Sequence, residues 1–288
     1  MKRFKVYSPK NLEGVLQCLR EAQGEIKLLA GGTDLVIQLR EGSVNPDAVI
    51  DISGISELKS IKEEEGFVKI GAACSFTEIA ENDLVKKYAF CLAEAASQVG
   101  SEQIRNTGTI GGNIANASPA ADALPALVAL DSSVTVFNTT GEARQVPVNS
   151  VSAGAGKNNL AAGEIITEIV FPALGNTWRS AFAKLGRRKA LAIARINMAA
   201  AVEYDAEERV LTKARVALGA VGTVAFRPAW AEEVLIGGTP SPQLNEAFVE
   251  SLSRAVEESI PGRASMPYKK AAIRGVGSEV FEKLFPGL

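Results

Sequence analysis

Two glycine-bearing segments carry the residue types that could do chemistry in this sequence. In the first, Leu28, Leu29 and Ala30 lead, as a strand would, into Gly31, Gly32, Thr33 and Asp34; Leu35, Val36 and Leu39 then resume at helical spacing until Gly42. In the second, Thr107 to Asn113 sets Thr109, Ile110, Gly111, Gly112 and Asn113 in a loop, and Ser118-Pro119 reads as an N-cap followed by Pro at the first helical position. Glycine admits positive φ and lets a backbone approach a ligand with no Cβ between them. The threonines and Asn113 add side-chain hydrogen bonds. Asp122 falls in or near the first turn of the next helix, where a carboxylate is favoured. Each loop suits a phosphate-bearing ligand, and two of them could grip a diphosphate from both sides. The same residues also suit ordinary left-handed turns, because glycine-rich turns are common punctuation.

Composition removes other chemistries. The 288 residues contain no histidine, so a Ser-His-Asp or Cys-His mechanism and imidazole metal ligation are impossible within this chain. Cys18, Cys74 and Cys91 are far apart and lack a CxxC spacing. They read as buried free thiols, Cys18 and Cys91 in apolar helical stretches, too few for an iron-sulfur cluster that needs four thiolates. No catalytic or metal-ligating residue is assigned. A net charge of −2 with well-mixed signs gives no nucleic-acid surface. No apolar run reaches the length of a membrane span. MKRFKVYSPKN lacks an apolar signal region, so a cytoplasmic location is expected.

The elements that must position these residues come in two blocks. Ser8-Pro9 starts a helix whose Leu12, Val15, Leu16 and Leu19 recur at helical spacing. Strands are expected over 27–30, 48–52 and 67–72, and a long helix over 83–99 feeds the second glycine loop. A rather apolar helix covers 120–130, and 134–137 and 143–148 flank a hairpin turn. Glu63-Glu64-Glu65 before Gly66 reads as a solvated hairpin tip. The character changes near Pro172 to Trp178. Three antiparallel strands are expected over 178–185, 197–204 and 213–220, then helices over 226–235, 244–260 and 268–284. Strands followed by segregated helices indicate an α+β layer. Arg195 interrupts the apolar run LAIARINMAAAV, so it must reach solvent, a partner or a ligand.

AGGTDL (30–35) together with TIGGNIANASPAAD (109–122) resembles the FAD-binding, medium subunit of the xanthine dehydrogenase and carbon monoxide dehydrogenase family of molybdenum hydroxylases. The likeness continues through EIITEIVFP (164–172), FAKLGRRKALAIARINMAAAV (182–202) and RPAWAEEVLIG (227–237), and so covers essentially the whole chain. It implies an α+β chain: a two-subdomain FAD-binding fold of the vanillyl-alcohol oxidase (PCMH) type over 1–175, then a C-terminal α+β domain over 176–288 with a three-stranded antiparallel sheet and helices.

The resemblance also implies a cofactor site. The backbone of Ala30, Gly31, Gly32, Thr33 and Asp34 would wrap the FAD diphosphate, with Thr33 bonding it. Thr109, Ile110, Gly111, Gly112 and Asn113 would contact its other side and the ribityl chain. Leu28 and Leu29 would lie on the adenine side, Asp122 near the flavin or its linker, and Ile165 or Ile166 near the ring system. Arg195 matches a place where some members carry a basic residue near the flavin. Each has a plainer reading: Leu28, Leu29, Ile165 and Ile166 as core, Asp122 as a helix N-terminal charge. The implied partners are a [2Fe-2S] small subunit and a molybdenum-cofactor large subunit, with NAD, a quinone or another carrier as acceptor. The other readings are a self-sufficient flavin oxidoreductase of the same superfold and a flavin-free assembly subunit.

Overall fold

The computed structural model describes residues 3–287. The chain opens on a small parallel sheet: β1 (Lys5–Tyr7), α1 (Leu12–Glu21), β2 (Ile26–Leu29), α2 (Leu35–Glu41) and β3 (Ala48–Asp51). β3 lies between β1 and β2, with Val6 opposite Val49 and Leu28 opposite Ile50. α1 begins later than the Ser8-Pro9 signal suggests, because Asn11 caps it by accepting from the Gly14 N–H at 2.8 Å. Its Val15, Leu16 and Leu19 pack with Ile50, Ile52 and Ile55 in a first core.

A five-stranded antiparallel sheet comes next, in the order β4-β5-β10-β6-β7. β4 (Ile61–Glu64) and β5 (Phe67–Gly71) meet at Glu65 and Gly66, both at positive φ, so the acidic run does sit at a hairpin tip. The helices α3 (Phe76–Glu81), α4 (Asp83–Tyr88), α5 (Phe90–Ser97), α6 (Glu102–Thr107), α7 (Ile110–Asn116) and α8 (Ala123–Ala129) follow. Then come β6 (Ser133–Phe137), β7 (Ala143–Pro147), α9 (Val148–Val151), a small hairpin of β8 (Ser152–Gly154) and β9 (Lys157–Asn158), and the central strand β10 (Ile165–Pro172). The helix expected over 83–99 is broken at Ala89, whose φ of −152° and ψ of 54° are not helical. The second half starts afresh because the Ser180 hydroxyl accepts the Cys91 N–H at 3.1 Å.

The last block is the antiparallel sheet of β11 (Trp178–Leu185), β12 (Ile196–Asp205) and β13 (Val210–Gly219), followed by α10 (Ala229–Leu235), α11 (Pro242–Ser259) and α12 (Met266–Leu284). β12 is buried on both faces. Phe182, Ala199, Ala201 and Ala217 join the core built on α5 and α8, while Ala181, Met198, Ala200 and Val216 join the core of α10, α11 and α12. The short alanines let helices approach the sheet closely from either side. The expected α+β architecture holds, with the strands sandwiched between two helical layers. Among the described residues no helix is long and apolar enough to cross a membrane.

Candidate cofactor site

The first glycine loop leaves β2 at the edge of the parallel sheet. Leu28 and Ala30 pack against the first core, and Leu29 underlies the turn, its Cδ1 3.2 Å from where a Cβ on Gly32 would stand. Gly32 has φ +72°, the left-handed conformation that favours glycine. Gly31 is needed for another reason. A Cβ there would fall 2.0 Å from the Thr107 carbonyl oxygen and 2.9 Å from Gly108 Cα, so the backbones of the two loops touch. Among the described residues, the N–H groups of Gly32, Thr33 and Asp34 have no acceptor. Asp34 does not cap α2 with its side chain; its carboxylate instead accepts from Asn116 Nδ2 at 3.1 Å, tying the first loop to α7.

The second glycine segment corrects an expectation. Gly111 and Gly112 are not in a loop and not at positive φ; they form the first turn of α7. Thr109 is the reason: its Oγ1 accepts the Gly112 N–H at 3.3 Å and its carbonyl accepts the Asn113 N–H at 2.9 Å. Ile110 N–H donates to Cys74 O and Gly111 N–H to Ala72 O. All four N–H groups are therefore satisfied internally. Gly111 is small because a Cβ would lie 2.6 Å from Ala72 Cβ, which lets α7 press onto the end of β5. What the segment can still offer is a side chain: Asn113 is half-buried and its Oδ1 is buried without a partner. Ser118-Pro119 likewise forms a turn after the left-handed Ala117 (φ 49°) and does not start a helix; α8 begins after Asp122.

Asp122 stands at the N-cap of α8 but makes no side-chain cap. It is 6 % exposed and turned towards the C-terminal sheet. Lys184 Nζ donates to its Oδ2 at 2.5 Å and to Gln98 O at 2.9 Å; Asn197 Nδ2 donates to its Oδ1 at 2.9 Å and to Ala121 O at 3.2 Å. Lys184 and Asn197 are directly opposite each other on β11 and β12. Burial raises the Asp122 carboxyl above the usual carboxylate range, opposed by the Lys184 charge and by the bonds from Lys184 and Asn197. Neither Lys184 nor Asn197 is singled out by the sequence reading. A lysine in the alternation AFAKL and an asparagine in an apolar run were the signals, the same ones that drew notice to Arg195.

The remaining expected residues scatter. Ile165 lies in the first core and Ile166 in the larger one, on opposite faces of β10, so both are core side chains. Arg195 precedes β12 instead of interrupting it. Its N–H donates to Leu185 O at 2.7 Å, and among the described residues its guanidinium has no acceptor. Lys269 is pushed below its ordinary value by burial and by the charges of Arg195 and Arg263, so cations gather there. A cavity of 340 Å³ adjoins Lys184, lined also by Gln98, Arg105, Gly186, Lys189 and Ala192. A larger one of 420 Å³ lies around Trp178 and Arg179, and neither cavity is lined by a residue of either glycine segment. Cys74 and Cys91 are buried free thiols, pushed up to about 12 by burial, and Cys18 is half-buried.

Comparison with known proteins decides the family. Residues 2–174 match the FAD binding domain in molybdopterin dehydrogenase, and residues 180–284 match the CO dehydrogenase flavoprotein C-terminal domain. The chain belongs to the FAD-binding subunits of the molybdopterin dehydrogenases. It is 38 % identical to the nicotinate dehydrogenase FAD-subunit of Eubacterium barkeri, covering 99 % of this chain and 96 % of that one. It is 31 % identical to the xanthine dehydrogenase FAD-binding subunit of Escherichia coli O157:H7, covering 90 % and 88 %. The solved carbon monoxide dehydrogenase from Hydrogenophaga pseudoflava superposes with a TM-score of 0.89 at 27 % identity, over 98 % of this chain and 97 % of that chain. As an FAD-binding subunit of this family, the chain is an FAD-dependent oxidoreductase subunit. Its residues fit the cofactor: three loop N–H groups without acceptors, an orphaned Asn113 Oδ1 and a glycine contact between the loops all lie in one region.

Proposed function

We propose that this chain is the electron-transfer subunit of a molybdenum hydroxylase complex. It takes electrons from a [2Fe-2S] small subunit, supplied by a molybdenum-cofactor large subunit, and hands them to NAD, a quinone or another carrier. The observation that carries the reading is the backbone contact of Gly31 with Thr107 and Gly108, which brings the two glycine segments to one place. FAD, when bound, supplies the redox chemistry, accepting electrons singly and releasing them in pairs.

The protein's part is to bind and orient. The N–H groups of Gly32, Thr33 and Asp34 would donate to the diphosphate, charge-assisted bonds about twice as strong as neutral ones. The Thr33 hydroxyl adds another. Asn113 Oδ1 would accept from a hydroxyl of the ribityl chain. Lys184 and the cavity beside it would take the ring end, where the ammonium, its charge balanced by Asp122, would have one N–H left to donate. Arg195 and Arg263 lie close enough to Lys269 to act on its charge, and such a cluster of cations suits an anionic acceptor.

The test is anaerobic reduction of the FAD-loaded chain by a reduced [2Fe-2S] partner, followed by the bleaching of the flavin's visible absorption. Rapid bleaching that NAD or a quinone then reverses supports the reading. Slow bleaching by the cluster protein, with fast reduction by a small organic donor, would make the chain a self-sufficient flavoenzyme.

A further inference from the structure

Asn197 is fully buried, at the second position of an apolar strand, and polar. Such a side chain costs stability unless its groups are bonded. Its amide nitrogen is: it donates to the Asp122 carboxylate and to the Ala121 carbonyl. Its Oδ1 is buried without a partner. An apolar residue would remove that orphan but would take the donor from Asp122 Oδ1 and Ala121 O, so the asparagine is explained by what its amide nitrogen holds. The neighbouring strand makes room for it. Gly219 pairs with Asn197 across β12 and β13, and a Cβ on Gly219 would fall 2.2 Å from Asn197 Oδ1. Lys184 sits opposite on the other side. Three adjacent strand positions thus form one device: a cation, an amide, and a glycine that leaves the amide its space.

The device acts on Asp122 and on the turn before it. Ala121 and Asp122 end the segment that links α7 to α8, and the Ala220 N–H holds Pro119 O in the same segment. With Lys184 alone, the carboxylate could rotate about its single ion pair. A second donor on the other oxygen fixes its plane, and so fixes the direction from which Lys184 is held.

We propose that Asn197 is a positioning residue for the flavin site: it orients the Asp122 carboxylate, keeps it ionised, and thereby sets the Lys184 ammonium beside the cofactor. This rests on the reading above that Lys184 faces the ring end. Among the described residues, the charged group facing Asp122 is Lys184 on β11. β12 contributes only Asn197, β13 only Gly219, and α8 begins with the apolar Ala123, Leu124 and Pro125.

The experiment titrates FAD into the full chain across a pH series, for wild type and Asn197→Leu. Removing a donor from a carboxylate makes it easier to protonate. The variant is expected to bind FAD at least about tenfold more weakly at neutral pH, with the acid limb of its affinity profile moved up by about one pH unit. Asn197→Ser, which keeps a hydroxyl in less volume, should fall between the two and stands in if the leucine variant does not fold. An equal loss at every pH would mean a merely structural asparagine and would overturn the proposal, as would an unchanged profile. A wild-type chain with no FAD affinity would instead overturn the site reading on which it rests.

Discussion

A Cβ on Gly31 would stand 2.0 Å from the carbonyl oxygen of Thr107, so these two backbones touch only because residue 31 lacks a side chain. No rotamer can relieve that clash, since the obstacle is backbone. Gly31→Ala has to push the first loop away from the second. The cost in stability should be about 1–3 kcal/mol, as for other overpacking changes. FAD affinity should fall more than stability implies, because the cofactor needs both loops at once. Parallel urea unfolding and FAD titration check this. A folded variant with wild-type affinity would show that the close approach is not what the flavin requires.

The other glycines separate by conformation. Gly32 is at φ +72°, so Gly32→Ala should lose about 1–2 kcal/mol from left-handed backbone strain alone. Gly112 is helical and exposed, and its missing Cβ faces only Thr109 Oγ1 at 2.9 Å. Gly112→Ala gains about 1 kcal/mol in helix propensity and loses about as much through the disturbed cap. Near-neutral stability is expected for residue 112 and clear destabilisation for residue 32. Melting curves showing the reverse order would contradict the conformations described here.

These glycines also show where sequence reading succeeds and stops. The strand-turn-helix of residues 26–41 is legible because apolar residues, Gly-Gly and a helical repeat follow one another locally. β11, β12 and β13 are legible for the same reason. Gly111 and Gly112 mislead because their helical state depends on the Thr109 side chain capping the Gly112 N–H and on Cys74 and Ala72, from a distant strand end, accepting the N–H groups of Ile110 and Gly111. Lys184 and Asn197 converge on Asp122 only through the register of β11 on β12, which no local pattern encodes. Arg195 drew attention for a sound reason, an unexplained charge beside apolar residues, yet the buried polar group of that run is Asn197, two residues on.

The Asp122–Lys184 pair, each side chain 7 % exposed, should behave as buried pairs do when broken. Lys184→Met strands a carboxylate among apolar neighbours and should cost about 3–5 kcal/mol. Adding Asp122→Asn should recover much of that, because no uncompensated charge remains. Chemical denaturation of the two single variants and the double variant measures the coupling. Additive losses would mean the two side chains do not interact as their geometry states.

Glu164 offers a pH-dependent test at the entry to β10. Arg144 donates to it through Nε and Nη2, both at 2.8 Å, and the Ala161 N–H adds a third bond at 2.8 Å. The Arg144 hydrogen bonds, above all, hold the Glu164 carboxyl below its ordinary value of 4.5. A carboxylate with a depressed folded value binds fewer protons when folded than when unfolded. Its contribution is therefore fully present above pH 4.5 and is lost as pH falls through the lower folded value. Arg144 is half-exposed, so solvent screening limits the pair to about 1 kcal/mol. Glu164→Gln should be less stable than wild type by about that amount at neutral pH, and the two should converge on acidification. A difference that persists unchanged at the lowest pH where both remain folded would show that the glutamate acts through packing and not through its charge.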